Sequence, residues 1–485
     1  MHWLDVTLLV LYFVAILGVG LWFMRRNQDP DDYYLGGRSM SARHIGLSVV
    51  ATDVGGGFSI GLGGLGFTLG LSGSWMLFTG LVGAWLAAVL LIPKVHRLGL
   101  MHGLTTYPQI FKLRYGATVA LAAAVISAIG YTGFTASQLS AGAKLASATI
   151  PGLEVQTALF GMGALAVLYT ALGGMKAVVY TDTFQWILLM IGLVFIGIPI
   201  CYVELGGMEA IRAALPPAHL SLDEVGAIRM TNWMFTILPI WFIGMTLYQR
   251  IYACRDARTA QRAWYVAGLF EWPVMAFLGV ALGVLGRVAW QQGVFAAVGY
   301  PADVAMDEEL GLPLLLANLL PVGLMGLLMA AYFSAILSTA DSCLMAASGN
   351  LSDDLLPSKG APSPLRRLLR SQVFTLGIGA LALVLASQFP NVLELMLYSY
   401  AFMVSGLLVP TIAALFTRRP SAPAALASML VGGATTLTLI VLDEQLEGGL
   451  ALWLGLDPNV FGIAASVVVY ALVQRRSPGP GYSDD

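Results

Sequence analysis

The stretch His44–Gly70 reads HIGLSVVATDVGGGFSIGLGGLGFTLG, an apolar run that contains one carboxylate. Asp53 is followed in this run by Gly55, Gly56 and Gly57. Glycines weaken a helix, and a helix interrupted at membrane depth exposes backbone carbonyls that can coordinate a cation. A small-residue packing face is the alternative explanation for the glycines. Because an Asp in a membrane span is costly, we predict an ion site here, with the three glycines as a hinge.

The whole chain has the composition of a protein that crosses a membrane many times. Its 485 residues are 58% hydrophobic and 11% charged, and a soluble domain carries roughly twice that charged share. Apolar runs of about 20 residues recur from end to end. We therefore predict an all-α polytopic membrane protein with thirteen spans, at about 4–23, 45–69, 73–93, 119–148, 155–173, 178–203, 231–252, 264–288, 314–350, 371–388, 391–416, 422–442 and 459–474.

The positive charges predict the orientation of these spans. If the N-terminus lies outside, the inner connections carry most of the 25 Lys and Arg residues, as the positive-inside rule requires. Arg250 then marks the inner end of a span, and Lys144 lies near an outer helix end. The first apolar run lacks a basic leader and a clear cleavage site, so we expect a retained span. The prediction is a bacterial inner-membrane protein with a cytoplasmic C-terminus.

A second stretch, YFSAILSTADSCLMAAS (Tyr332–Ser348), places hydroxyls on one face of a helix. The residues at i, i+3, i+4 and i+7 are Ala335, Ser338, Thr339 and Ser342, and Asp341 lies on the flank of that face. Oxygen ligands suit a hard cation such as sodium. Back-bonding to the i−4 carbonyl could explain one or two of the hydroxyls. It does not explain the carboxylate.

The stretch YTALGGMKAVVYTDTFQW (Tyr169–Trp186) places an acid inside a span. Gly173, Gly174 and Lys176 are expected to close an inner loop, after which Asp182 lies within the next apolar run. An Asp near a helix end is commonly a cap. This one lies a full turn or more inside the run, which favours a buried partner.

The stretch LPIWFIGMTLYQR (Leu238–Arg250) has the residues that open a helix in mid-membrane. Pro239 removes a backbone donor and Gly244 tolerates unusual dihedrals, with Trp241 beside the break. We predict a second interrupted helix here, with Pro239 at its hinge.

These stretches resemble the sodium/solute symporter family, which includes proline, pantothenate and sodium–glucose transporters. GGMKAVVYTDTFQW is the most specific match, and DYYLGGRSM and SAILSTADS also match. The resemblance covers almost the whole chain and implies a single transporter domain, 1–485, of the LeuT type. Its two inverted five-helix repeats would be about 44–203 and 231–416, and the accessory helices would be 4–23, 422–442 and 459–474.

The resemblance also implies an ion-binding set. The shared sodium site would use the carbonyls of Ala51, Val54 and Ala335 and the hydroxyls of Ser338 and Thr339. A possible second sodium site would use Asp182, Ser338, Asp341 and Ser342. Asp341 departs from the hydroxyl usual there, so this position could bind sodium more strongly or bind a proton instead. Asp53 matches the acidic residue of proline-transporter-like members and is assigned to ion coupling.

The solute pocket is where the resemblance is weakest. Gly244 stands where several members place a polar side chain, and the third span, GSWMLFTGLVGAWLAAVLL, is nearly apolar. Both features favour an amino acid or monocarboxylate over a sugar, which needs many hydrogen-bond partners. The expected pocket residues, each of which could equally be core packing, are Tyr131, Phe134, Gln138, Trp241, Gly244 and either Tyr398 or Tyr400.

The combined prediction is a sodium-coupled symporter that imports a small organic solute by alternating access. Its expected partners are Na+, the solute and the lipid bilayer, with no nucleic acid and no obligate protein partner. One alternative is a proton-coupled carrier of the same fold, with Asp53 or Asp341 titrating. Another is a membrane solute sensor. An enzyme is not expected, because the five histidines form no catalytic grouping and the glycines of Gly61–Gly66 lie inside a span.

Overall fold

The structure is a computed structural model that describes residues 2–24, 45–46, 48–49, 55–354, 364–445 and 455–479. The described part is helical and contains no β-strand. In its first half the helices are α1 (Trp3–Met24), α2 (Gly56–Leu69), α3 (Trp75–Leu90), α4 (Ile92–His102), α5 (Pro108–Tyr115), α6 (Ala117–Thr149), α7 (Val155–Gly192), α8 (Ile198–Glu204) and α9 (Gly207–Ala214).

The second half of the described chain continues this all-helical pattern. Its helices are α10 (Ala227–Ile237), α11 (Ile240–Ile243), α12 (Met245–Ala253), α13 (Ala257–Leu269), α14 (Ala276–Gln291), α15 (Gly311–Leu319), α16 (Leu324–Asp354), α17 (Pro364–Gln388), α18 (Val392–Phe416), α19 (Ala422–Gln445) and α20 (Pro458–Arg476). Short π-helical segments join α7 to α8 and α13 to α14.

The apolar helices confirm a multi-pass membrane protein, but they do not confirm thirteen separate spans. Within the described residues, nine helical segments are long and apolar enough to cross a membrane, and a tenth is a bent pair. The loop expected at Gly173–Lys176 is instead part of the continuous helix α7. A glycine in a helix costs only about 1 kcal/mol relative to alanine. A Gly-Gly pair therefore does not force a loop.

At the centre of the bundle, α6 packs on both α16 and α18. In the apolar part of α16, 89% of residues are buried inside the protein, compared with 28% in α20. In a membrane the remaining surface of α20 would face lipid, so most of its apolar side chains would contact the bilayer rather than the protein core. This contrast places α16 at the centre, where polar side chains must find partners within the fold.

The glycines of α2 have two different structural roles. A β-carbon on Gly66 would overlap the carbonyl oxygen of Val280 in α14, and one on Gly283 of α14 would overlap the carbonyl oxygen of Gly63. Backbone therefore touches backbone between α2 and α14, as small residues permit in membrane helices. The packing explanation holds for this half of α2. Gly55, just before α2, belongs instead to the candidate ion site.

The first helix is tied to the central helix by a buried carboxylate. Asp5 of α1 accepts hydrogen bonds from the backbone N–H groups of Gly323 (2.7 Å) and Gly326 (2.9 Å). These donors lie at the N-terminus of α16, where N–H groups have no partner inside the helix. A carboxylate also complements the positive end of the helix dipole. The expected accessory helix α1 therefore caps α16.

Candidate functional site

The chain is interrupted between α10 and α12, where a broken helix was predicted. Leu238 and Pro239 separate α10 from α11, and Gly244 separates α11 from α12 with extended backbone dihedrals. The helix axis bends by 40° between Ala227–Ile243 and Met245–Ala253. The hydroxyl of Tyr248 donates to the carbonyl oxygen of Phe242 (2.7 Å), which otherwise has no helical donor at this break.

A small cavity lies against this break. Its volume is about 10 Å³, roughly what one water molecule needs. The rings of Phe134 and Tyr400 are stacked with centroids 5.1 Å apart on its wall. The lining is mainly apolar and consists of Tyr131, Phe134, Ile240, Gly244, Thr246, Leu247, Cys343 and Tyr400. Three of the residues predicted for the solute pocket, and the alternative Tyr400, are therefore neighbours.

The polar groups of this cavity converge at the N-terminus of α12. The Tyr131 hydroxyl lies 3.2 Å from Thr246 Oγ1 and accepts a hydrogen bond from the Thr246 backbone N–H, also at 3.2 Å. First-turn N–H groups carry the positive end of the helix dipole. Half-helices that begin at membrane depth use this end to bind anionic groups of a solute. The arrangement is suited to a carboxylate.

The other predicted pocket residues lie elsewhere. Trp241 is fully buried and packs edge-on against Trp264 of α13, with its ring against Gly83 of α3. Gln138 is buried one turn along α6 from Phe134 but does not line the cavity. Tyr398 donates to Glu394 (2.8 Å) and faces a different, larger cavity. Thr246 and Cys343, which the sequence did not single out, take their place.

The hydroxyl face predicted on α16 is buried in the centre of the protein. Ser338 and Thr339 are 4% and 0% exposed. A β-carbon on Gly55 would overlap Oγ1 of Thr339, so the residue just before α2 lies directly on this face. Ala335 also lies in α16, and its carbonyl oxygen accepts a hydrogen bond from Thr339 Oγ1 (3.2 Å). The other three predicted residues, Ala51, Asp53 and Val54, lie outside the described residues.

Asp341, on the flank of the hydroxyl face, has a partner from another helix. Oγ1 of Thr170 in α7 donates to its carboxylate. The backbone of Asp182 also belongs to α7, but its side chain lies outside the described part of the structure. The sequence does not mark Thr170 as a site residue, because a lone Thr in an apolar helix usually bonds the carbonyl four residues earlier. Thr170 also makes this bond, to the carbonyl oxygen of Ala166.

A buried guanidinium lies beside the same polar layer. Arg250 of α12, expected at the membrane surface, is only 2% exposed. It donates to Oγ of Ser48 (3.2 Å) and of Ser342 (3.4 Å) and to the carbonyl oxygen of Thr246 (3.0 Å). All residues of α12 after the bend at Gly244 are buried, so Arg250 in its last turn lies inside the bundle. A positive charge thus lies within reach of the predicted second sodium site.

A larger cavity opens on the side predicted to be outside, with a volume of about 390 Å³. Its described lining residues include no Lys or Arg, and its acidic side chains are Glu308, Glu309, Glu394, Asp443 and Asp457. Burial raises the pKa of Asp457 to about 6, and the Asp443 carboxylate adds to the rise. Such a cavity has a negative potential that attracts cations.

The two cavities are lined by residues that lie close together in the chain. Thr236 lines the acidic cavity and Ile240 lines the small one, while Ala401 and Tyr400 are neighbours in α18 that face the two cavities separately. The two cavities therefore border the same part of α18 and the chain around Pro239.

Glu309, in the wall of the acidic cavity, is part of a buried charge cluster. Its carboxylate lies 2.7 Å from the ammonium of Lys144, which also lies 2.5 Å from Asp307. The same carboxylate accepts the backbone N–H groups of Val392 and Leu393, both at 2.9 Å. It thereby caps α18, and its charge is compensated by the Lys144 ammonium and by the two N–H groups.

Comparisons with known proteins identify relatives along most of the chain. The model of the sodium:solute symporter family matches residues 33–432. The osmoregulated proline transporter OpuE of Bacillus subtilis is 26% identical, over 97% of this chain and 94% of its own. Sodium/myo-inositol cotransporter 2 of Mus musculus is 28% identical, over 90% of this chain and 70% of its own. The relatives thus carry chemically different solutes.

Solved structures show the same fold at low sequence identity. A Na+-coupled sialic acid symporter in a substrate-bound outward-open state matches with a TM-score of 0.78 at 22% identity, covering 99% of this chain and 100% of that chain. Mhp1, a nucleobase-cation-symport-1 family transporter, matches with a TM-score of 0.57 at 14% identity, covering 94% and 98%. These likenesses confirm the predicted LeuT-type helical fold.

Proposed function

We propose that this chain, which belongs to the sodium:solute symporter family, imports a zwitterionic amino acid together with one sodium ion. The observation that carries the proposal is the cavity at the N-terminus of α12, where the Tyr131 and Thr246 hydroxyls meet. We place the carrier in a bacterial inner membrane, with the acidic cavity outside. The transport core is assigned to repeats at about 44–203 and 231–416.

The proposed sodium site joins α16 to the break before α2. Ser338 and Thr339 offer oxygen ligands, and Gly55 brings the chain that follows Ala51 and Val54 onto Thr339. A side chain at Gly55 would separate the two elements. Sodium prefers oxygen ligands, and a membrane potential of about 100 mV contributes roughly 2.3 kcal/mol per inward charge.

The proposed solute carries both a carboxylate and an ammonium. The carboxylate would lie at the N-terminus of α12, where backbone dipoles and the hydroxyls of Tyr131 and Thr246 converge. The ammonium is favoured by the acidic cavity, which would repel a solute whose only charge is a carboxylate. The mainly apolar lining leaves few partners for the many hydroxyls of a sugar.

One sodium is proposed rather than two because Arg250 supplies a positive charge beside Ser342. A cation at Asp182, Ser338, Asp341 and Ser342 would share that layer with the guanidinium, and like charges at close range in a buried site repel strongly. Thr170 offers a further neutral hydrogen bond to Asp341. The second sodium site therefore has a competitor within the fold.

Uptake into proteoliposomes with an imposed sodium gradient tests the solute class. We expect saturable uptake of at least one small neutral amino acid, and no uptake of glucose or of simple monocarboxylates. Thr246→Val should reduce uptake at low solute concentration about tenfold or more, because it removes a hydrogen bond to a charged group. Thr132→Val is the matched control, since Thr132 bonds only its own helix at Ala128 and does not line the cavity. Sodium-driven sugar uptake without amino acid uptake would exclude the proposed solute.

Sodium activation of uptake tests the ion site separately. Ser338→Ala combined with Thr339→Ala should raise the sodium concentration for half-maximal uptake by roughly tenfold or more, because two ligands are lost. Ser348→Ala on the same helix is the control, since Ser348 is buried but bonds the carbonyl of Met345 in its own helix. An unchanged sodium requirement in the double variant would rule out this site.

The reversal potential of uptake measures the stoichiometry. A value of one sodium per solute, retained in Asp341→Asn, is the expected result. Two sodium ions in the wild type, falling to one in the variant, would instead support the second site and contradict the role given to Arg250.

A further inference from the structure

The end of α18 opposite the acidic cavity borders another cavity, which the transport cycle proposed above does not use. Its volume is about 470 Å³, and its lining is Pro93, Lys94, Arg97, Leu98, Arg114, Ala414 and Leu415. Three of these side chains are cationic, and none of the described lining residues is acidic. The cavity lies on the side predicted to be cytoplasmic.

Two of the cations are held in place by the last turn of α18. Lys94 Nζ donates to the carbonyl oxygen of Leu415 (3.0 Å). The Arg114 guanidinium donates to the carbonyl oxygens of Ala414 (2.7 Å) and Thr417 (2.9 Å). The C-terminal end of a helix dipole is equivalent to only about half a negative charge. With Arg97 in the same wall, the described lining carries three cationic side chains and no carboxylate.

The cavity lies where two membrane spans end. The span Ser59–Leu90 ends just before Pro93, and the span Val392–Phe416 ends just after Leu415. Lys94 Nζ lies 3.9 Å from the centre of the Phe416 ring. Leu90 and Phe416 are 47% and 41% exposed. Apolar side chains that would face lipid therefore flank a cationic cavity at the level of the membrane surface.

We propose that this cavity binds the phosphate group of an anionic phospholipid headgroup. Arginine forks match the oxygens of a phosphate, and basic cavities between helices on the cytoplasmic side are suited to such headgroups. The acyl chains would extend along the apolar surface at Leu90 and Phe416. A free phosphate ion shares the headgroup chemistry but cannot use that surface, so the flanking apolar side chains favour the lipid.

Native mass spectrometry of the full-length protein, titrated in detergent with phosphatidylglycerol or phosphatidylcholine, tests the proposal. We expect phosphatidylglycerol to bind more tightly than phosphatidylcholine. Arg97→Gln should weaken phosphatidylglycerol binding about fivefold, the effect of removing one cation near an anionic headgroup. Lys112→Gln is the matched control: Lys112 is an exposed cation on neighbouring α5, outside the cavity lining. It should leave lipid binding unchanged.

Several results would overturn the proposal. These are equal binding of the two lipids, equal effects of the two substitutions, or displacement of phosphatidylglycerol by millimolar inorganic phosphate, which would assign the cavity to the free ion. The thermal stability of the wild-type protein gives a test that needs no variant. Phosphatidylglycerol should raise the unfolding temperature more than phosphatidylcholine does, and the absence of a difference would contradict the site.

Discussion

The two ends of α18 lie against side chains of opposite charge. At the N-terminus, the carboxylate of Glu309 accepts the N–H groups of Val392 and Leu393. At the C-terminus, Lys94 and Arg114 donate to backbone carbonyls. One helix therefore separates an acidic cavity from a basic one, and each end is stabilised by the charge that its dipole favours.

The two ends differ in how far water reaches them. Glu309 is 4% exposed and is paired with Lys144, so its charge depends wholly on protein partners. At the other end Lys94 is exposed, and only Arg114 is buried. Charge interactions are stronger where water is excluded, and removing one partner of a buried pair leaves an uncompensated charge. The acidic end should therefore contribute more to stability than the basic end.

The largest effect is expected from Glu309→Gln. This change leaves the buried Lys144 with less negative charge and removes the charged cap of α18, so the free energy of unfolding should fall by about 3 kcal/mol. Denaturant unfolding in detergent micelles measures it. Glu308→Gln, at the exposed neighbouring position, should change stability by less than about 0.5 kcal/mol. Equal effects at the two positions would refute the buried cluster.

A smaller effect is expected at the basic end. Arg114→Gln removes charged hydrogen bonds to two carbonyls and should cost about 2 kcal/mol in the same unfolding measurement. Lys94→Gln should cost less than about 1 kcal/mol, because its ammonium remains in contact with water. If Lys94→Gln lowered the free energy of unfolding more than Arg114→Gln does, burial would not explain how much each cation contributes to stability.

The smallest effect is expected from Asp457 in the acidic cavity. Burial raises the pKa of this carboxyl to about 6, above its value of about 4 in an unfolded chain. The folded protein then binds the proton more tightly, so stability should fall as the pH rises from about 4 to about 6. The loss should be about 1 kcal/mol, since water reaches part of this carboxyl.

Unfolding measured across that pH range in wild type and Asp457→Asn tests the sign. The substitution should remove this component of the pH dependence and leave the remainder. Asp303→Asn, in an exposed loop on the same side, is the control. A wild-type stability that rises with pH through this window, and that rises less steeply in Asp457→Asn, would show that the Asp457 carboxylate is stabilised rather than destabilised by its surroundings.

Much of the fold was predictable because its signals are local. Hydropathy and length predicted a multi-pass helical protein. GGMKAVVYTDTFQW, with DYYLGGRSM and SAILSTADS, predicted the family, and the stretch around Gly244 predicted an interrupted helix. The assignment of most Lys and Arg residues to the cytoplasmic face stays a prediction. The ion-site assignment stays a prediction, because Ala51, Asp53 and Val54 lie outside the described residues and the Asp182 side chain does too.

What the sequence could not supply were contacts between helices far apart in the chain. Lys144 meets Glu309, and Arg250 approaches Ser342, across separations of 165 and 92 residues. Hydrophobic periodicity identifies the face of each helix that is buried, but it does not identify which helix covers it. Arg250, expected at the membrane surface, is buried in the helix that follows the bend at Gly244.

The sequence by itself therefore determined the class of protein, the positions where helices could break and the kind of oxygen ligands available. Only the tertiary structure decided which polar groups face one another: Thr246 with Tyr131, Thr170 with Asp341, and Glu309 with the first turn of α18. The physical reason is that a segment spans the membrane when its transfer into lipid is favourable, and the free energy of transfer depends on the composition of that segment alone. The partners of a buried polar group depend instead on how the segments pack.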